Sequence, residues 1–281
     1  MEFDPLILAL LALFGLAGGI GITAVGPGGV LPTIGMFLLT GLSPSGVAGT
    51  AIATHIATGA LGTAAYTRSG QLRDPRTRRI ALVLSTAALV GSPLGVFFNT
   101  LADGRVFAIL LAIAVATTGI LVWLRERRTA GTADAARAAD SGGGPTSSDP
   151  GTGSGAGSGT GPASLSPVTT AALGLLVAVA AGLFGLGGPM LSVPLLVIAG
   201  LPLLPALAAA QAQSVVIASV GTVAYLVHGS VDWALAVLVG VPELAGVMIG
   251  WKIAHAVPTR KLKYALAGTL LALAPYLALH G

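Results

Sequence analysis

The sequence predicts an all-α integral membrane protein built from two inverted-topology repeats of about five hydrophobic segments each, with broken or re-entrant helices at glycine-proline stretches. Composition is the first support: 9% of residues are charged and 54% hydrophobic, with a mean hydropathy of +0.90, whereas a soluble domain carries roughly 25% charged residues. Internal repetition is the second. At an offset of 159, Gly41-Leu42 falls on Gly200-Leu201 and Gly62-Thr63-Ala64-Ala65-Tyr66 on Gly221-Thr222-Val223-Ala224-Tyr225; at 155, Gly91, Gly95 and Arg105 fall on Gly246, Gly250 and Arg260. The third is a pair of breaks, Gly26-Pro27-Gly28-Gly29-Val30-Leu31-Pro32 and Gly182 to Pro194, matched through Gly26-Pro27 and Pro32 on Gly188-Pro189 and Pro194. Glycine weakens a helix by roughly 1 kcal/mol and an internal proline by about 3, and hydrocarbon cannot replace the lost backbone bonds. Open backbone at such depth faces protein or a wet cavity, as in carriers with discontinuous helices.

Taken in order, residues 6–25 form a first span, retained because Met1-Glu2-Phe3-Asp4 lacks the basic stretch of a signal peptide. Residues 28–41 are too short to cross ~30 Å of hydrocarbon as one straight helix, which leaves a re-entrant or half-length helix. Spans follow at 44–67, 80–98 and 105–124, with Arg68, Arg73, Arg76, Arg78 and Arg79 in the loop 68–79 and Arg125-Glu126-Arg127-Arg128 after Trp123. Residues 129–167, rich in Gly, Ser, Ala, Thr and Pro without apolar periodicity, read as a flexible linker. The second half replays the first at 168–186, 189–201, 203–227, 233–254 and 262–279. The chain thus divides into a first transmembrane repeat (1–128), a linker (129–167) and a second repeat (168–281).

Charge sets the expected orientation. The arginine loop, the cluster at 125–128 and the linker are cytoplasmic by the positive-inside rule, as is the loop at 255–261 beside Lys252, Arg260, Lys261 and Lys263. Residues 99–104, the loop 228–232 and both termini then lie outside, so equivalent loops face opposite sides of a cell membrane. The net charge of +4 reflects these topology signals, and no nucleic-acid partner is expected. With no cysteine in the chain, disulfides, thiolate metal sites and cysteine nucleophiles are excluded. His55, His228, His255 and His280 are scattered along the chain, so neither a metal site nor an enzyme is expected, and no cofactor.

Candidate chemistry lies in the middle of the paired spans 44–67 and 203–227, where Thr54-His55 and Gln213-Ser214 are equivalent. Polar groups at mid-membrane are costly and usually face a bundle or cavity. Thr50, Thr54 and Thr58 form one stripe; Gln211, Ser214 and Thr222 form another. The alternative for the hydroxyls is a bond back to their own helix or to a neighbour. Glu243, beside Pro242, is the only carboxylate deep in a segment, and Glu243 and His55 are the candidates for proton coupling. The breaks present helix N-termini suited to anions. The expected substrate-binding set is therefore Gly26, Pro27, Gly28, Thr50, Thr54, His55, Gly187, Gly188, Pro189, Gln211, Gln213 and Ser214. No Gly-Lys-Ser/Thr follows either break, so nucleotide loops are a poor reading.

The Gly182-to-Pro194 stretch, the Gly-Thr-x-Ala-Tyr-x-x-x-Gly pattern ending at Gly70 and Gly229, and Gly229-Ser230-Val231-Asp232-Trp233 together resemble the TauE/SafE family of sulfite and organosulfonate exporters. The resemblance covers both halves but not the linker. Two departures stand out: Pro189 occupies the place of a usual third glycine, and the first break reads Gly-Pro-Gly-Gly. The family implies export of small sulfur-containing anions such as sulfite, sulfoacetate or related sulfonates; composition and spacing do not indicate sulfur. The expected partners are a small anionic substrate and the lipid bilayer, with a homodimer admissible. The competing readings are a proton- or cation-coupled carrier of another small metabolite and a membrane assembly factor without cargo.

Overall fold

The computed structural model describes residues 4–141 and 166–256, together with the isolated positions 264, 268, 271, 272, 274 and 275; side chains between 125 and 165 are outside the description. The described elements are helical: α1 (Pro5–Ala24), a 3-10 turn Pro27–Gly29, α2 (Val30–Leu39), α3 (Pro44–Arg68), a 3-10 turn Gln71–Arg73, α4 (Pro75–Leu101), α5 (Gly104–Ser141), α6 (Pro167–Phe184), α7 (Pro189–Ile198), α8 (Leu203–Val227) and α9 (Trp233–Ala256). The segment expected at 262–279 lies largely outside the described residues.

Local signals explain several starts. Asp4, Ser43, Asp74 and Ser166 each precede a proline and accept a bond from an amide in the first turn, at Leu6, Gly46, Thr77 and Thr169. An oxygen-bearing cap followed by proline satisfies an orphan amide and presets φ. The Asp74-Pro75 signal corrects one boundary: α4 begins at Pro75, not 80, so Arg76, Arg78 and Arg79 sit in its first turns and not in a loop. At the other end of the first half, α5 continues to Ser141, into the segment expected to begin a linker at 129. The run from Thr129 to Ser141 is rich in alanine, the strongest helix former.

Six described helices, α1, α4, the first part of α5, α6, α8 and α9, are long and apolar enough to cross a membrane. Their outer faces carry Leu82, Leu89, Phe97, Ile113, Leu176 and Val237, a surface that suits lipid. α3 matches α8 in length but carries more Thr and Ser, and it packs along α8 at the centre. Around that central pair the halves interleave, because α1 packs on α9 and α6 packs on α4.

Glycines set the closeness of those outer pairs. A Cβ at Gly246 or Gly250 of α9 would collide with the carbonyl of Leu16 or Ile20 in α1, and one at Gly91 or Gly95 of α4 would crowd the carbonyl of Leu175 or Val179 in α6. The two pairs of contacts correspond at the offsets of 159 and 155. Two tyrosines correspond as well. Tyr66 Oη donates to the Thr23 carbonyl and Tyr225 Oη to the Gly182 carbonyl, both at 2.7 Å and both across 43 residues.

The breaks match differently from the proline-based expectation. α2 and α7 are both 10 residues long and begin at Val30 and Pro189, an offset of 159. Gly26, Gly28 and Gly29 therefore correspond to Gly185, Gly187 and Gly188, three residues away from the alignment through Pro27 and Pro32. Backbone geometry is the reason: Gly26 and Gly185 both have positive φ, +114° and +70°, a conformation that only glycine adopts without penalty, whereas a proline in a first helical turn is merely tolerated.

Candidate functional site

The two breaks meet at the middle of the central pair. Thr33 Oγ1 of α2 donates to the Gly185 carbonyl at 3.4 Å, and Val193 of α7 lies against Gly26, so each short helix braces the other half's break. Residues Val25 to Met36 and Phe184 to Met190 are buried throughout.

Six residues converge there, Gly29, Gly187, Gly188, His55, Ser214 and Ile22. A Cβ at Gly29 would stand 3.4 Å from His55 Cε1 and 3.6 Å from the Gly187 amide nitrogen; one at Gly187 would stand 3.3 Å from Ser214 Oγ and 3.5 Å from His55 Cγ. Gly188 lies beside the Ser214 amide and the Ala210 carbonyl. Ile22 of α1 closes the space, with Cδ1 3.0 Å from both the Gly29 and the Gly187 positions. His55 and Ser214 are fully buried, and Ser214 Oγ and both imidazole nitrogens make no hydrogen bond. Buried polar atoms normally find partners, so groups left open beside two helix N-termini make this the candidate site.

Glu243 of α9 completes the group. Its Oε1 lies 3.0 Å from His55 Nδ1, with both side chains fully buried. The separation is that of an ion pair, but the angle is not that of an aligned hydrogen bond, and both carboxyl oxygens remain without a hydrogen-bond partner. Pro242 precedes it within the helix.

The other expected residues serve elsewhere or only border the site. Thr50 Oγ1 accepts from the Asp232 amide at 3.0 Å, which ties α3 to the turn before α9. Thr54 Oγ1 donates to Ala51 O in its own helix while its Cβ side faces Gly240 of α9, and Thr58 likewise donates to Thr54 O. Gln213 joins three helices: Nε2 donates to the Gly174 carbonyl of α6 at 3.1 Å and Oε1 accepts from Ser192 of α7. Gln211 Nε2 donates to Ile22 O at 3.2 Å, and its Oε1 is buried without a partner. Gly26 and Gly28 pack against Val193 and the Gly21 backbone, Pro27 opens the 3-10 turn and Pro189 opens α7.

Ile22 is a site neighbour that sequence reasoning left out, and Gly29 lay within the expected break but not in the expected substrate-binding set. The offset of 159 could have found Gly29, since it maps onto Gly188. Nothing local marks Ile22, one aliphatic residue in an aliphatic helix.

Two cavities lie at opposite ends of the helices. One, about 490 Å³, lies where the start of α3 meets Gly229 to Trp233; the other, about 500 Å³, lies at the opposite end between the starts of α4 and α6, lined by Arg76, Arg79 and Thr170.

Apolar spans interrupted by paired glycine breaks around a closed polar centre define a multi-pass membrane protein of the transporter class. The family model described as Sulfite exporter TauE/SafE matches residues 11–277, and the chain belongs to that family. This is a family of membrane transporters and not of enzymes. No curated protein and no solved structure matches the chain.

Proposed function

We propose that this protein exports small sulfur-containing anions, sulfite or a short sulfonate such as sulfoacetate, by alternating access around the site between the breaks. The observation that carries the reading is the enclosed meeting of Gly29, Gly187, Gly188, Ser214 and His55. Helix N-terminal amides, a hydroxyl and an imidazole donate to sulfonate oxygens without a buried arginine. A cation would need a cluster of carboxylates, and the one carboxylate here already faces an imidazole. Family membership supplies the sulfur.

Alternating access calls for two related halves, and we read residues 1–128 and 168–281 as inverted repeats joined by a cytoplasmic linker, with both termini outside. The corresponding tyrosine bonds and glycine contacts support that reading, as do the cavities at opposite ends.

The test is flux in liposomes containing the purified full-length chain, with sulfite, methanesulfonate, sulfoacetate, sulfate and chloride offered in turn. Flux of sulfite or a sulfonate well above that of chloride is expected. Cation flux that no anion alters would transfer the assignment to the metabolite-carrier reading.

A further inference from the structure

The proposed anion site contains a pair that anion binding alone does not need. His55 comes from α3 and Glu243 from α9, each lies at the middle of its helix, both are fully buried, and their side chains approach to 3.0 Å. Resting on the anion reading above, we infer that this pair is a proton site built into the anion site, so that one proton is taken up with each anion and released with it.

The reasoning begins with the imidazole. A neutral histidine has one N–H donor and one lone-pair acceptor, whereas the protonated ring donates from both nitrogens. With an ionised Glu243 facing Nδ1, the neutral ring keeps its proton on that side, and Nε2 then offers a lone pair to an incoming anion. The pair as a whole also carries one negative charge in that state. Both features oppose binding. When a proton from solvent forms an N–H bond at Nε2, the second nitrogen becomes a donor and the pair becomes neutral overall. On the far side that bond breaks, the proton returns to water, and the site again rejects the anion.

Other groups do not supply the missing charge. Among the described residues, α1 reaches Glu243 through the backbone at Gly19, the breaks contribute glycines and Ile22 an aliphatic wall, and α8 contributes Ser214. None of these is ionisable. Along α3 and α9 themselves the other ionisable groups, Tyr66, Arg68, Lys252 and His255, lie two or more turns away. The equivalents of His55 and Glu243 in the repeat are Ser214 and Ala88, so a single proton site is present, and a monoanion moving with one proton transfers no net charge.

The experiment titrates methanesulfonate into the purified protein in weakly buffered solution and follows free protons with an indicator dye. Methanesulfonate does not itself titrate near neutrality, so proton uptake belongs to the protein. About one proton per bound anion is expected on the alkaline side, where affinity should fall about tenfold for each pH unit because coupling is reciprocal. His55→Gln should abolish the uptake and flatten the affinity profile, and Glu243→Gln should diminish it because the charge that favours the imidazolium is gone. Ser214→Ala should weaken binding yet keep one proton per anion. Wild-type binding with no proton uptake between about pH 5 and pH 8, the range a histidine spans, would overturn the coupling and leave the anion reading intact. Absence of binding by methanesulfonate and sulfite alike would instead overturn the anion reading and this inference together. Should either substituted chain fail to fold, the wild-type proton count alone decides.

Discussion

At the residue scale, Gln213 and Ser214 are neighbours in sequence with opposite employment. Successive residues point about 100° apart on a helix, so one faces α6 and α7 and the other faces the breaks. Both polar ends of Gln213 are engaged, by the Gly174 carbonyl and by Ser192, while Ser214 Oγ is engaged by nothing. Removing one member of a buried bond strands its partner at a cost of about 1–3 kcal/mol, whereas deleting a group that already lacks a partner costs little. Gln213→Ala is therefore expected to lower the melting temperature markedly. Ser214→Ala should leave it unchanged or raise it and weaken methanesulfonate binding severalfold. The comparison needs only thermal melts and binding isotherms on two purified variants; equal destabilisation by both would remove Ser214 from the site.

At the scale of elements, the distance between helices is set by glycine more than by large side chains. α9 meets α1, and α4 meets α6, at glycines whose added Cβ would strike a facing carbonyl. Overfilling a packed contact costs about 1–3 kcal/mol, and carbonyl oxygens do not yield as a flexible side chain does. Gly250→Ala and Gly95→Ala are predicted to destabilise the protein by similar amounts in that range, measured by thermal unfolding in one detergent, because Ile20 and Val179 present the same obstacle to each. A neutral Gly95→Ala beside a damaging Gly250→Ala would show that the two contacts are not equivalent. The same scale exposes what patterning missed. The bounds of α8 coincide with the apolar run 203–227, but the start of α4 belongs to the Asp74-Pro75 cap, which lies among the five arginines of the expected loop. The threonines of α3 looked like a binding stripe because a helix repeats every 3.6 residues, yet side-chain hydroxyls in an apolar helix find the nearest acceptor, which for Thr54 and Thr58 is their own backbone.

For the whole molecule, the proposed inversion makes a sharp demand: the loop before α4 and the loop before α9 face opposite sides. Because the chain has no cysteine, single cysteines at Pro75 and Ser230 can be labelled without background. Impermeant reagent applied to intact cells should reach Ser230→Cys alone, and labelling of both positions from outside would remove the inverted topology.

Sequence alone determined that the chain is a helical membrane protein, that each half carries a glycine break, and that Thr54-His55 and Gln213-Ser214 fall at corresponding points. Those properties are one-dimensional: apolar run length, helix-breaking residues and a fixed offset can all be counted along the chain. Only the tertiary structure decided which member of each pair faces the breaks, that Gly29 and Ile22 close the space, and that Glu243 stands against His55. These depend on the relative rotation of α3, α8 and α9 about their axes, which is set by close glycine contacts between segments far apart in sequence. A helix with apolar residues all round, as most of these have, carries no patterned face from which that rotation could be read.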